Sequence, residues 1–142
     1  MTTKIDAIRD DFSLLDEWED RYRYVIELGE SLDEFPDSAR VPGNKVPGCV
    51  SQVWLTTERN SDADPVLTFQ GDSDAHIVRG LVAIMLALFS GRRSSEILKT
   101  DAEATLKALG LDEHLSPQRA NGLRSMVKRI KYDAEAALTP AT

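Results

Sequence analysis

The chain has one cysteine, Cys49, and two histidines, His76 and His114. A thiol is the strongest nucleophile among these side chains once it ionises, so the chemistry to consider first is thiol chemistry. Free cysteines are usually buried and inert. Here Cys49 stands between a Pro47-Gly48 turn and a run of strand formers, outside any apolar run. Gly48 removes bulk beside the sulfur and Pro47 restrains the approach, an arrangement suited to presenting a side chain on a loop. Residue chemistry alone leaves a functional thiol and a packing cysteine both open.

Several thiol mechanisms can be weighed. A peptidase needs a histidine to take the proton and a third group to orient it. His76 falls in the first turn of an apolar helix, where the dipole disfavours its protonated form and favours a nearby thiolate. A helix-end histidine bonded to backbone or water is the plainer reading. Asp72, Asp74 and His76 have the alternate spacing of a metal site, but carboxylates at a helix start are better explained by capping and dipole complementarity. One cysteine cannot hold an iron–sulfur cluster alone. The glycines form neither a P-loop nor a dinucleotide fingerprint. Trp54 and Phe69 fall in strands and read as core.

The elements that must position Cys49 follow from periodicity. Ile5, Ile8, Phe12 and Leu15 recur at helical spacing and predict a helix over residues 4–16. Trp18, Tyr22, Val25, Ile26 and Leu28 predict a second over 17–32, ended by Pro36. Residues 38–49, with two prolines and two glycines, form a shaped loop with a short edge strand at its middle. Residues 51–58 and 66–70 are strands of an antiparallel hairpin across a polar turn. At 71–74 lies a strand-to-helix junction, with Asp72 or Ser73 capping a central buried helix over 74–89. Short helices near 94–99 and 101–109 follow. The last helix starts with Ser116 as cap and Pro117 at its first position, and Leu123, Met126, Val127 and Ile130 make its apolar face. The expected fold is one α+β domain over 1–142, a small antiparallel sheet (a hairpin or three strands) packed against several helices, with 139–142 a frayed tail.

Composition narrows the function. Hydrophobic residues make up 42% and charged residues 29% of 142, the balance of an ordinary globular domain. Net charge is −7, which argues against general nucleic-acid binding. Through residue 37 there are 12 acids against 4 bases, and from Leu115 onward 5 bases against 2 acids. Such asymmetry either steers a protein partner or marks solvated helix faces. The N-terminus lacks a signal-peptide pattern, and the longest apolar run, 81–89, is too short to span a bilayer. With a single unpaired thiol, the expectation is a cytoplasmic protein without membrane attachment.

Three blocks then carry a resemblance. Residues 47–55, PGCVSQVWL, resemble the active loop of the SufE family, the sulfur-acceptor partners of cysteine desulfurases. Residues 71–81, GDSDAHIVRGL, and 115–123, LSPQRANGL, resemble the family's second and third blocks, in order and at matching spacing. The resemblance implies a fold like that of the IscU-type scaffold without its cluster-binding cysteines. It implies that Cys49 accepts sulfane sulfur from a persulfide and passes it toward iron–sulfur cluster assembly. The implied partners are a SufS- or CsdA-like cysteine desulfurase, which carries the pyridoxal phosphate, and a downstream scaffold or other acceptor; this chain needs no cofactor of its own. Gly48, Ser51 and Gln52 beside the cysteine, and Arg119 in the third block, are the implied partner surface. Pairing at the start of the last helix is the other reading of Arg119. Val50 departs from the polar residue usual after the family's cysteine, which bears on partner preference more than on chemistry. A binding or regulatory module with an incidental cysteine is the rival reading.

Overall fold

A computed structural model describes residues 4–48 and 51–138. The first two helices are α1, Lys4–Ser13, and α2, Trp18–Glu30. Both are amphipathic as the spacing requires: Ile5, Ile8 and Phe12 of α1 and Val25 of α2 are buried, with Trp18, Tyr22, Ile26 and Leu28 packed at the margin. Both end two or three residues earlier than periodicity predicts, because a periodic apolar residue also packs from a turn. Leu32, just past α2, does so, while past α1 the Leu15 carbonyl accepts the Arg21 Nε–H at 2.8 Å.

Strand β1, Val53–Arg59, pairs antiparallel with β2, Val66–Ser73. The register runs from Val53 opposite Ser73, through Trp54 opposite Asp72, to Arg59 opposite Leu67. Alternation puts Val53 and Leu55 of β1 and Leu67 and Phe69 of β2 into the core. Helix α3, His76–Phe89, follows, then a two-residue strand β3, Arg92–Arg93, which pairs with the start of β2. The sheet order is β1-β2-β3. Helices α4 (Ser94–Lys99), α5 (Ala102–Ala108) and α6 (Leu111–His114) lead to the long α7, Pro117–Leu138.

Two sequence expectations are corrected here. The third strand is not in the 38–49 loop: that segment makes two single 3₁₀ turns, Asp37–Ala39 and Pro42–Asn44, and only a bridge pair, Lys45 with Trp54. Pro42 and Pro47 have no N–H to donate, so a ladder cannot extend there. The third strand forms after Gly91, whose N–H reaches the Leu67 carbonyl at 2.8 Å. The junction at 71–74 is also strand through Ser73, and Asp74 is a bend rather than a cap. β2 continues through Ser73, the cap position of α3 is Ala75, and no side chain caps that helix.

α3 is the buried centre, with nine buried residues from Ile77 to Phe89. α2 crosses it where Gly29 meets Gly80; a Cβ on Gly80 would stand 2.0 Å from the Val25 carbonyl oxygen. Backbone contact that close is open only to glycine, so the pair sets the crossing. α7 starts as its sequence predicts: the Ser116 Oγ accepts the Arg119 N–H at 3.3 Å. Leu123, Met126 and Ile130 of α7 are buried, and Val127 packs at the margin. The tail at 139–142 lies outside the described residues. No helix among the described residues is long and apolar enough to cross a membrane.

Candidate functional site

Cys49 and Val50 lie outside the described residues; the segments entering and leaving that pair build the site around it. The entering segment is anchored at successive points. Phe35 is buried. The Arg40 guanidinium lies over the Trp54 ring, 4.9 Å from its centroid, with Phe35 5.3 Å away. Its Nη2–H donates to Asp72 Oδ2 at 2.6 Å and its Nε–H to Asp37 at 3.2 Å. The Arg129 Nη2–H from α7 holds the Gly43 carbonyl at 3.1 Å. Val46 is buried, and its N–H donates to the Val53 carbonyl at 2.8 Å. The segment ends at Gly48, exposed, with φ +86°. A Cβ there would stand 2.7 Å from the Ser125 Oγ of α7. Both the backbone angle and the close approach select glycine.

The leaving segment is tied to the end of β2. The Gln52 N–H donates to Asp74 Oδ1 at 3.0 Å, while the Gln52 carbonyl accepts the Ser73 hydroxyl at 2.6 Å and the Asp74 N–H at 3.3 Å. Ser51 lines a cavity of about 380 Å³ with Val78 and Leu81 of α3 and Arg119, Gly122 and Met126 of α7. One wall is apolar and the rim is polar, a shape fit to take a small group beside the segment that carries the cysteine.

Of the residues singled out in the sequence, Ser51 and Arg119 line the same cavity, and Gly48 lies against Ser125 further along α7. Gln52 joins through its backbone, and its side chain is exposed beside Asp74. Arg119 is exposed, and its guanidinium forms no ion pair among the described residues. His76 is exposed at the start of α3. Asp72 and Asp74 cap nothing: Asp72 faces arginines and Asp74 holds Gln52. Trp54 is not core either; it is half-buried under Arg40 on the face opposite Val53 and Leu55. Phe69 is core, as expected. Sequence reasoning missed Arg40, Arg79 and Ser125, because each meets its partner across the fold and no local pattern marks it.

The electrostatics centre on Asp72, whose side chain is 12% exposed. Its hydrogen bond to Arg40 raises that guanidinium's pKa above the usual arginine value, against some desolvation. Arg40, a permanently charged guanidinium at ordinary pH, is held further in that form by Asp72.

Comparison with known proteins now assigns the chain. The model of the SufE family, an Fe–S metabolism associated domain, matches residues 6–134. The chain belongs to the SufE family. A SufE-like protein of Rhizobium meliloti, itself uncharacterized, is 64% identical over 137 residues, covering 96% of this chain and 98% of that one. An uncharacterized SufE-like protein of Rhizobium etli is 59% identical over 132 residues, covering 92% and 89%. The solution structure of a hypothetical protein from Thermus thermophilus superposes with a TM-score of 0.74 at 17% identity, over 99% of this chain and all of that one. That likeness concerns the fold, the α+β arrangement expected from sequence. SufE membership assigns the chain to iron–sulfur metabolism.

Proposed function

We propose that this SufE protein is a sulfur acceptor, taking persulfide sulfur from a cysteine desulfurase onto Cys49 and passing it toward iron–sulfur cluster assembly. The observation that carries the reading is the family match across residues 6–134, joined to a site in which, on either side of Cys49 and Val50, Gly48 lies against Ser125 of α7 and Ser51 lines a cavity with Arg119. The Cys49 thiolate attacks the terminal sulfur of the desulfurase persulfide. The donor S–S bond breaks, the donor cysteine leaves as thiolate, and Cys49 becomes the persulfide. No net oxidation occurs and no other reactant is needed. Pyridoxal phosphate belongs to the desulfurase, whether SufS- or CsdA-like. Arg119, Gly48, Ser51 and Gln52 form the surface that meets it. A second transfer of the same kind delivers the sulfur to a scaffold or another acceptor.

Cys49→Ser tests the reading, since oxygen for sulfur barely changes volume and the chain has no second thiol. The variant should melt like the wild type and lose sulfur acceptance and stimulation of desulfurase turnover. Full stimulation by the serine variant would instead make the protein a regulatory module with an incidental cysteine.

A further inference from the structure

Three consecutive residues, the last two of β2 and the one that follows, reach both segments that flank Cys49. Asp72 holds the entering segment through Arg40 at 2.6 Å. Ser73 holds the leaving segment through the Gln52 carbonyl at 2.6 Å, and Asp74 holds it through the Gln52 N–H at 3.0 Å. Asp72 also ties into α3, its Oδ1 lying 2.9 Å from Arg79 Nε, and the Ser73 Oγ accepts the N–H of Ala75, the residue before α3, at 3.3 Å. We propose that Asp72 is a positioning residue for sulfur transfer, joining the segment ahead of Cys49 to strand β2 and helix α3 so that the residues flanking the cysteine are held in register. The functional half of this proposal rests on the sulfur-acceptor reading.

Burying a carboxylate is costly unless its oxygens are occupied. Asp72 meets that condition by spanning three elements: Oδ2 takes Arg40, and Oδ1 takes the Ser73 N–H at 2.8 Å with Arg79 as its ion-pair partner. The Arg79 Nε is buried and aligned with no acceptor, so it contributes charge to Asp72 rather than a directed bond. The directed bond that fixes position is the one to Arg40. The Arg40 guanidinium is itself confined, with Trp54 and Phe35 against it and Asp37 at its Nε. A planar fork confined in this way allows one placement of the segment over the strand, whereas an apolar contact would tolerate sliding. Trp54, opposite Asp72 in the β1–β2 register, makes the strand pairing part of the same device.

Two variants separate positioning from general stability. Asp72→Asn keeps the shape and removes the charge; Arg40→Met keeps a stem against Trp54 and Phe35 and removes the fork. Hydrogen exchange read by mass spectrometry on free protein should show amides in 37–46 exchanging at least about fivefold faster in either variant, with α7 amides around Leu123–Ile130 unchanged. The rate of sulfur uptake at saturating desulfurase should fall by about tenfold, with a smaller change in the half-saturating concentration. Arg40→Lys, which keeps charge but not the fork, should recover only part of the rate. Unchanged exchange over 37–46 overturns the proposal, as does equal acceleration in α7, which would mark a general loss of stability. Faster local exchange with undiminished uptake also overturns the positioning role. Should Asp72→Asn fail to fold, Arg40→Met on the partly exposed partner decides. A wild type that takes up no sulfur would strike the sulfur-acceptor reading instead, and the exchange data judge the tie without any desulfurase.

Discussion

Replacing Gly48 by alanine should cost stability through two separable terms. The first is the backbone: at φ +86° an L-residue loses roughly 1–2 kcal/mol relative to glycine. The second is collision, since the new Cβ would stand 2.7 Å from the Ser125 Oγ but 3.6 Å from the Ser125 Cβ. One hydroxyl that can turn to another staggered position puts this at the low end of overpacking costs, about 1 kcal/mol. Ser125→Ala removes the hydroxyl and leaves an ordinary contact. A double-mutant cycle by urea denaturation should therefore give about 2–3 kcal/mol for Gly48→Ala in the wild type, about 1–2 kcal/mol in Ser125→Ala, and a coupling near 1 kcal/mol. Gly48 is exposed, so part of the strain can be relieved by displacing the segment ahead of Cys49, and sulfur uptake should fall in the same variant. A coupling within about 0.3 kcal/mol of zero would show that Gly48 does not rest on Ser125. A costless Gly48→Ala would refute the left-handed backbone itself.

Other outcomes follow from named contacts. Gly80→Ala drives a Cβ to within 2.0 Å of the Val25 carbonyl, so α2 must leave α3; a loss of about 3 kcal/mol or more is expected, and a wild-type melting temperature would contradict the crossing. Arg119→Ala should change stability by no more than about 0.5 kcal/mol while weakening desulfurase stimulation several-fold; unchanged kinetics would remove Arg119 from the partner surface. Hydrogen bonds from the Ser95 hydroxyl and N–H hold the Asp64 pKa below the usual value. A depressed carboxyl contributes stability above its unfolded pKa and loses it as pH falls through the folded value. Denaturation midpoints measured downward from about pH 5 should therefore drop less steeply in Asp64→Asn, and an unaltered acid limb would refute the shift.

The longer helices and the β1–β2 hairpin were legible because each carries its own period or start signal: Ile5, Ile8 and Phe12 for α1, the continuous apolar run for α3, the Ser116-Pro117 start for α7; the four-residue α6 is too short to carry one. Of the residues singled out in the sequence, Ser51 and Arg119 line one cavity, and Gly48 lies against Ser125 of α7. What failed was local reading of polar residues. Asp72 has the appearance of a cap beside Ser73 and Asp74, yet its partners are Arg40, 32 positions earlier, and Arg79. Trp54 reads as core by type, yet serves as the platform for Arg40. The edge strand was misplaced because β3 is two arginines long, too short to carry any alternation. The misses at Asp72 and Trp54 are contacts made by tertiary approach, for which one-dimensional spacing holds no signal.

The central claim is that Cys49 carries sulfur, and intact mass measures it directly. The reduced protein, incubated with a cysteine desulfurase and free cysteine and then weighed, should gain the mass of whole sulfur atoms. The gain should map to the peptide containing Cys49, vanish on treatment with reductant, and be missing from Cys49→Ser. A protein that returns from that incubation at its starting mass, while desulfurase turnover is nonetheless stimulated, would contradict the account.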